Sequence, residues 1–167
     1  MTDYAAILRQ HASTDVIAAN PEYFDAEELS AAVSGSTTGH VSVPYVPKED
    51  EEQAAFVVWC RLHEDEYPGL DMMHSIPNGG YRPKRTGATL KQTGLRSGIP
   101  DICIPVGLNG YNHLYIEMKR RDPKLSVVST EQSDIIQRLR ELGNYVAICF
   151  GCSDAINVVK RYYEGNV

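Results

Sequence analysis

An α/β domain, with a central mixed β-sheet flanked by helices, is the fold class this sequence predicts. Three observations carry the prediction. The apolar runs "DICIP", "LYIEMK" and "NYVAICF" have the length of buried strands and are too short for helices. The segments after the second and third runs each read as a capped helix. The resulting order, helix, strand, strand, strand, helix, strand, helix, is that of an α/β domain with a mixed sheet. The 167 residues suffice for one domain with a sizeable core and an additional arm.

Residues 1–46 form the arm. "YAAILRQHA" and "FDAEELSAAV" each suit a short helix, "SGSTTGH" a flexible linker and "VSVPYVP" an extended, proline-limited stretch. The domain proper spans 47–167. Its first helix runs from Lys48 to about Glu66, acidic at its start as the helix dipole prefers, and "YPG" stops it. "LDMMHSIP" is a short strand, "NGGYRP" a turn and "KRTGATLKQTG" a short helix ending at Gly94. Two strands follow, Asp101–Pro105 and Leu114–Lys119, joined by a connection whose Asn109-Gly110 step is a hairpin signal. Ser129 opens the next helix, Gln132 completes a capping box and Gly143 is the stop. "NYVAICF" is a further core strand, and a closing helix begins with Ser153 or Asp154 as cap.

Hydrophobic content of 43% and charged content of 23% are ordinary for a globular domain, and no apolar run approaches the length of a membrane span. The start "MTDYAAILRQ" lacks a secretory pattern, so a cytoplasmic location is expected. Cys149 and Cys152 form a C-x-x-C, but Cys60 and Cys103 supply no second pair for zinc, so the cysteines are expected buried and reduced. The formal net charge of −6 argues against a general polyanion binder. Its distribution reverses that reading locally. From Met72 to Pro100 there is no acid, but there are Arg82, Lys84, Arg85, Lys91 and Arg96. Lys119, Arg120, Arg121 and Lys124 then stand against one Asp122. Nine of the sixteen basic residues fall in these two segments, enough for a local surface that attracts a polyanion.

Between those segments lie charges that a buried strand does not need. Asp101 opens one apolar run, and Glu117 and Lys119 close the next. Glu117 and Lys119, two apart on a strand, share a face, while Met118 points into the core. A hairpin brings Asp101 beside Glu117. Two adjacent carboxylates repel unless a cation joins them, and such a pair suits Mg²⁺ (or Mn²⁺), which accepts one or two carboxylates and keeps several waters. A lysine beside that cation suits phosphodiester hydrolysis, where it stabilises the added negative charge. A surface salt bridge from Lys119 to Glu117 or Asp101 is the plain structural alternative, because D…E-x-K is a short pattern.

Read in order, "HSIPNGGYR", "LKQTGLRSGIPD", "LYIEMK" and "STEQ" resemble the VRR-NUC family of the PD-(D/E)xK superfamily over roughly residues 49–163. The resemblance implies a restriction endonuclease-like core. It implies a divalent-metal-dependent DNA nuclease of phage or mobile-element type, an endonuclease on structured or branched DNA, working as a homodimer in a bacterial or phage-infected cell without an organic cofactor. Carried onto this chain, it makes Asp101 and Glu117 metal ligands, adds the Met118 carbonyl, and makes Lys119 the catalytic lysine. Gln132 reaches the site from its helix, with its capping bond to Ser129 as the alternative role. The family's acid on the first helix falls on Glu49, which pairs with Gln53 on the face of Phe56 and Cys60. Glu52, taken to lie on the helix surface, is second choice, and Glu51 a third candidate. The segment of His74 and Asn78 is placed near the active site, where Asn78 with Gly79 and Gly80 approaches a phosphate, and a packed or capping role is the alternative for His74. Arg82, Lys84, Lys91 and Arg120 are candidates for DNA contact, and Gly98 for a tight turn before Asp101. Val127 and Val128 depart from the family, which more often has leucine beside the serine of "STEQ". The competing readings are a catalytically inactive nucleic-acid-binding module on the same fold and a thiol redox protein using Cys149 and Cys152.

Overall fold

A computed structural model of the chain describes residues 47–77 and 92–167. The arm at 1–46, the turn at "NGGYRP" and most of the helix at "KRTGATLKQTG" lie outside the described residues, as do Asn78, Arg82, Lys84 and Lys91.

Among the described residues, seven α-helices and strands follow in chain order: α1 (Glu49–Leu62), β1 (His74–Ser75), β2 (Ile102–Ile104), β3 (Leu114–Lys119), α2 (Thr130–Glu141), β4 (Tyr145–Phe150) and α3 (Cys152–Glu164). The strands form one mixed sheet in the order β1-β2-β3-β4. The first two pairings are antiparallel, and β3 pairs parallel with β4 after the α2 crossover. This is the α/β architecture that the order of elements predicts.

Several boundaries differ from the sequence reading, each for a local reason. Helix α1 stops at Leu62 rather than Glu66. The His63 ring lies 2.9 Å from the Trp59 carbonyl through Nδ1 and stacks on the Trp59 indole, ending the helical ladder. Strand β2 begins one residue after Asp101, whose side chain is engaged elsewhere. The connection to β3 runs over residues 105–113, so the Asn109-Gly110 step is a turn inside a longer loop. The Tyr111 amide closes it on the Leu108 carbonyl at 2.9 Å, with positive φ at both central residues. Helix α3 starts at Cys152 with Gly151 as N-cap, not at Ser153 or Asp154. The Asp154 carboxylate instead accepts the Phe150 amide at 3.0 Å, closing the turn that leads from β4 into the helix.

Alternation along β3 divides its residues between two environments. Leu114, Ile116 and Met118 join Phe56 and Trp59 of α1, and Ile156, Val159 and Tyr162 of α3, in the main core. Burying each such large apolar side chain contributes about 1.5–3 kcal/mol. The other face carries Tyr115, Glu117 and Lys119, which the parallel register sets beside Val146, Ile148 and Phe150 of β4. Helix α2 packs against β4 and buries Ile136. Its first turn covers the end of β3, so the two charges at that end are closed in rather than left in water.

Candidate active site

The antiparallel register pairs Ile102 with Ile116 and so sets Asp101 across from Glu117. Asp101 is fixed from both sides. Its Oδ2 accepts the Met118 amide at 2.8 Å, and its own carbonyl accepts the Ile76 amide at 2.7 Å. Gly98 prepares this placement. Its φ is +80°, and a Cβ there would meet the Glu131 carbonyl oxygen at 3.0 Å. Only glycine supplies that conformation in that space without strain. Ser97 adds a hydrogen bond of 2.6 Å to the Glu131 carboxylate, which ties the approach to Asp101 onto α2.

Glu117 is fully buried and Lys119 is 4% exposed. The Lys119 ammonium donates to Glu117 Oε1 at 2.6 Å and stands 3.7 Å from Glu49 Oε1. The Gln132 side-chain amide also donates to Glu117 Oε1. At the same time Gln132 Oε1 accepts the Ser129 amide at 2.9 Å, and the Ser129 hydroxyl accepts the Gln132 amide at 3.2 Å. The two roles weighed for Gln132 therefore coexist. Its acceptor end completes the capping box, and its donor end grips the carboxylate.

Burial, with the neighbouring charges of Asp101 and Glu49 and against the pull of Lys119, pushes the Glu117 carboxyl up to about 7. Burial alone would lower Lys119, but the hydrogen bond and charge of Glu117, with Glu49 and Asp101, hold the ammonium above its ordinary range. Desolvation is also the main reason that Glu49 is raised. Three carboxylates thus share one ammonium. Glu117 Oε2 is buried and accepts no hydrogen bond among the described residues.

The three glutamates at the start of α1 do three different things. Glu49 faces Lys119 with its side chain 45% exposed. Glu51 turns back to accept the Lys48 amide at 2.7 Å and caps its own helix. Glu52 is not on the helix surface as expected. It is fully buried in line with Ala55, Phe56 and Trp59, accepts the Cys152 amide at 2.8 Å and lies 3.5 Å from Arg121 Nε. That bond caps α3, and the Gly151 amide beside it binds the Lys119 carbonyl at 2.9 Å. Sequence reasoning passed over this cap because the signal, one acid among four at a helix start, carries no direction.

Met118 buries its side chain in the core and gives its amide to Asp101. Arg120 follows Lys119 at the strand end, half-buried and close enough for its charge to be felt at Glu49. His74 is exposed on the edge strand. Its ring lies 3.1 Å from the Met72 carbonyl through Nδ1 and lines a cavity with Arg61, Glu64 and Asp71, away from the Glu117–Lys119 pair. All four cysteines are free and buried, as expected, and burial pushes the thiols of Cys60 and Cys149 up, which disfavours the reactive thiolate.

Among the described residues, no three His, Cys, Asp or Glu side chains close around one metal position. The Asp101–Glu117 pair is a smaller donor set, all oxygen, with one buried oxygen unsatisfied and a surplus of negative charge. That chemistry fits a hard divalent cation that retains water, and it does not fit zinc or iron–sulfur.

No curated protein matches the sequence. The chain is similar in structure to a solved protein described as a VRR_NUC domain protein, with a TM-score of 0.59 and 24% identity, covering 72% of this chain and 92% of that one. That likeness concerns the fold. The family model for the VRR-NUC domain matches residues 43–152, well over half of the sequence. The chain therefore belongs to the VRR-NUC family of nuclease-type domains.

Proposed function

We propose that this chain is a divalent-metal-dependent deoxyribonuclease, an endonuclease that hydrolyses phosphodiester bonds at the Asp101–Glu117–Lys119 site. The observation that carries the proposal is Glu117. A carboxylate with one oxygen gripped by Lys119 and Gln132 and the other buried without a hydrogen-bond partner among the described residues is built to give that second oxygen to a further group. Asp101 and Glu117 would hold Mg²⁺ or Mn²⁺, with the Met118 carbonyl as a further donor. When bound, such a cation polarises a phosphoryl oxygen and lowers the pKa of an attacking water.

The remaining chemistry belongs to the side chains. Lys119 stays protonated, so it serves as a fixed positive charge against the phosphoryl oxygens in the transition state, not as a base. Gln132 holds Glu117 Oε1 together with Lys119 and leaves Oε2 as the oxygen open to a further partner. Glu49 holds the ammonium from its other side and is a second acid at the mouth of the site. Arg120, with Asn78, Arg82, Lys84 and Lys91, supplies phosphate contacts in this reading. Structured or branched DNA is the proposed substrate, and a homodimer the proposed form, since cutting two strands calls for two sites related by a two-fold axis. A bacterial or phage-infected cytoplasm is the proposed setting. Among the described residues no helix is long and apolar enough to cross a membrane.

An inactive binding module on the same fold would have no use for a buried ammonium placed between two acids. The test is wild type and Lys119→Ala incubated with supercoiled plasmid and with linear, flapped and branched DNA, each in Mg²⁺, Mn²⁺ and EDTA. Metal-dependent cutting lost in Lys119→Ala is expected. DNA binding without cutting under any metal would instead make the chain a binding module.

A further inference from the structure

The connection from β3 to α2, residues 120–129, is a built loop. The Arg120 amide binds Ser126 Oγ at 3.0 Å, the Lys124 amide binds Asp122 Oδ1 at 2.9 Å, and the Leu125 amide binds the Asp122 carbonyl at 3.0 Å. Pro123–Leu125 form a short 3₁₀ turn, and Ser129 closes the loop as the cap of α2. With its backbone held this way, the loop still leaves Leu125 52% and Val127 82% exposed. A single exposed apolar residue is ordinary. Two within three residues, on a bonded loop that also carries Arg120, Arg121 and Lys124, form an apolar tip on a basic stretch of chain.

Charge complementarity selects the occupant. A basic stretch calls for a polyanion, and an apolar tip calls for an apolar surface on that same polyanion. An unstacked nucleobase beside its phosphates offers both, whereas a fully stacked duplex hides its base faces. Position selects the same partner. One end of the loop is the residue after Lys119, and the other caps the helix whose Gln132 grips Glu117. The loop thus starts and ends beside residues of the site.

We propose that the 120–129 loop is a wedge, in which Leu125 and Val127 contact unstacked bases at a DNA branch point while Lys124 holds the adjoining phosphate. The proposal rests on the nuclease reading and adds to it the means of choosing branched over linear DNA.

The test uses a three-way DNA junction with 2-aminopurine beside the branch, and a linear duplex of the same sequence, both in EDTA so that nothing is cut. Wild type is expected to raise the 2-aminopurine fluorescence on binding the junction. Leu125→Ser combined with Val127→Ser should leave the probe quenched and weaken junction binding about ten-fold, with linear binding nearly unchanged. Lys124→Ala should weaken both DNAs alike and lower the salt slope by about one. Val127→Ser alone, at the more exposed position, gives the same readout should the double variant fail to fold. Wild-type fluorescence and affinity in the serine variants would overturn the proposal. So would light scattering that shows a wild-type dimer and a monomeric double variant, since the tip would then be a subunit contact. Wild type that binds neither DNA here and cuts none when Mg²⁺ or Mn²⁺ is supplied would sink the nuclease reading itself, an outcome distinct from either of these.

Discussion

Raising the pH of the metal-free protein should destabilise it, and Glu117 is the reason. Its carboxyl is fully buried and titrates near 7 instead of 4.5. Between those values the folded chain keeps a proton that the unfolded chain releases. Stability from this group is therefore fully present below the unfolded pKa and lost as pH rises through the folded one. At about 1.4 kcal/mol per pKa unit, a rise from 4.5 to about 7 corresponds to roughly 3 kcal/mol. Glu117→Gln isolates the effect, because a glutamine Oε1 still accepts from Lys119 and Gln132 but does not titrate. Urea unfolding in EDTA, stepped from about pH 5 to about pH 8, should show the stability difference between the two proteins shift toward the variant by roughly 3 kcal/mol. Adding Mg²⁺ or Mn²⁺ at the upper pH should restore the wild type, by about 2.7 kcal/mol at a hundred times the dissociation constant, and leave the variant unmoved. A stability difference that stays flat across the window would refute the placement of Glu117 as a buried, proton-holding acid. Equal metal stabilisation of both proteins would refute its role as a ligand.

Three further outcomes are expected. Lys119→Ala should slow metal-dependent cleavage at least about a hundred-fold, while a metal-induced rise in melting temperature persists, because the carboxylates remain. Glu52→Ala should cost about 2 kcal/mol in urea unfolding, from the lost α3 cap and the space left behind, whereas Glu49→Ala should cost under about 1 kcal/mol and show its effect in the cleavage rate. Gly98→Ala should lower stability by about 1 kcal/mol or more in thermal melts, since it combines a left-handed φ with a contact on the Glu131 carbonyl.

Strand β3 was legible to the residue, Leu114–Lys119, because period-two alternation and terminal charge mark both its faces and its end. The capping box of α2 was legible because Ser129 and Gln132 act within one turn. Once the hairpin was read, the meeting of Asp101 and Glu117 followed from register. What could not be read depends on contacts across the fold. The start of α3 is fixed by Glu52, a partner 100 residues away in sequence. Whether Glu49 or Glu52 faces the core depends on the rotation of α1 against β3 and α3. A hydrophobic pattern sets that rotation only to within a residue or two when acids stand at four consecutive positions. The 120–129 loop was invisible for a different reason. Its order comes from side chain-to-backbone bonds through Asp122 and Ser126, and these leave no periodicity.

The protonation states at the site constrain any mechanism it performs. Lys119 is held protonated by the three acids around it, so it cannot take a proton from water at neutral pH. Glu117 is the reverse case, an acid whose charged form the fold resists until something cationic meets Oε2. One group is thus permanently cationic and its neighbour only conditionally anionic. In the proposed reading, a cation held by Asp101 and Glu117 would favour the ionised form of Glu117, whose Oε1 lies 2.6 Å from the Lys119 ammonium. The hydrogen bonds from Gln132 and from the Met118 amide keep both carboxylates in place through that exchange, so the charges change while the geometry need not.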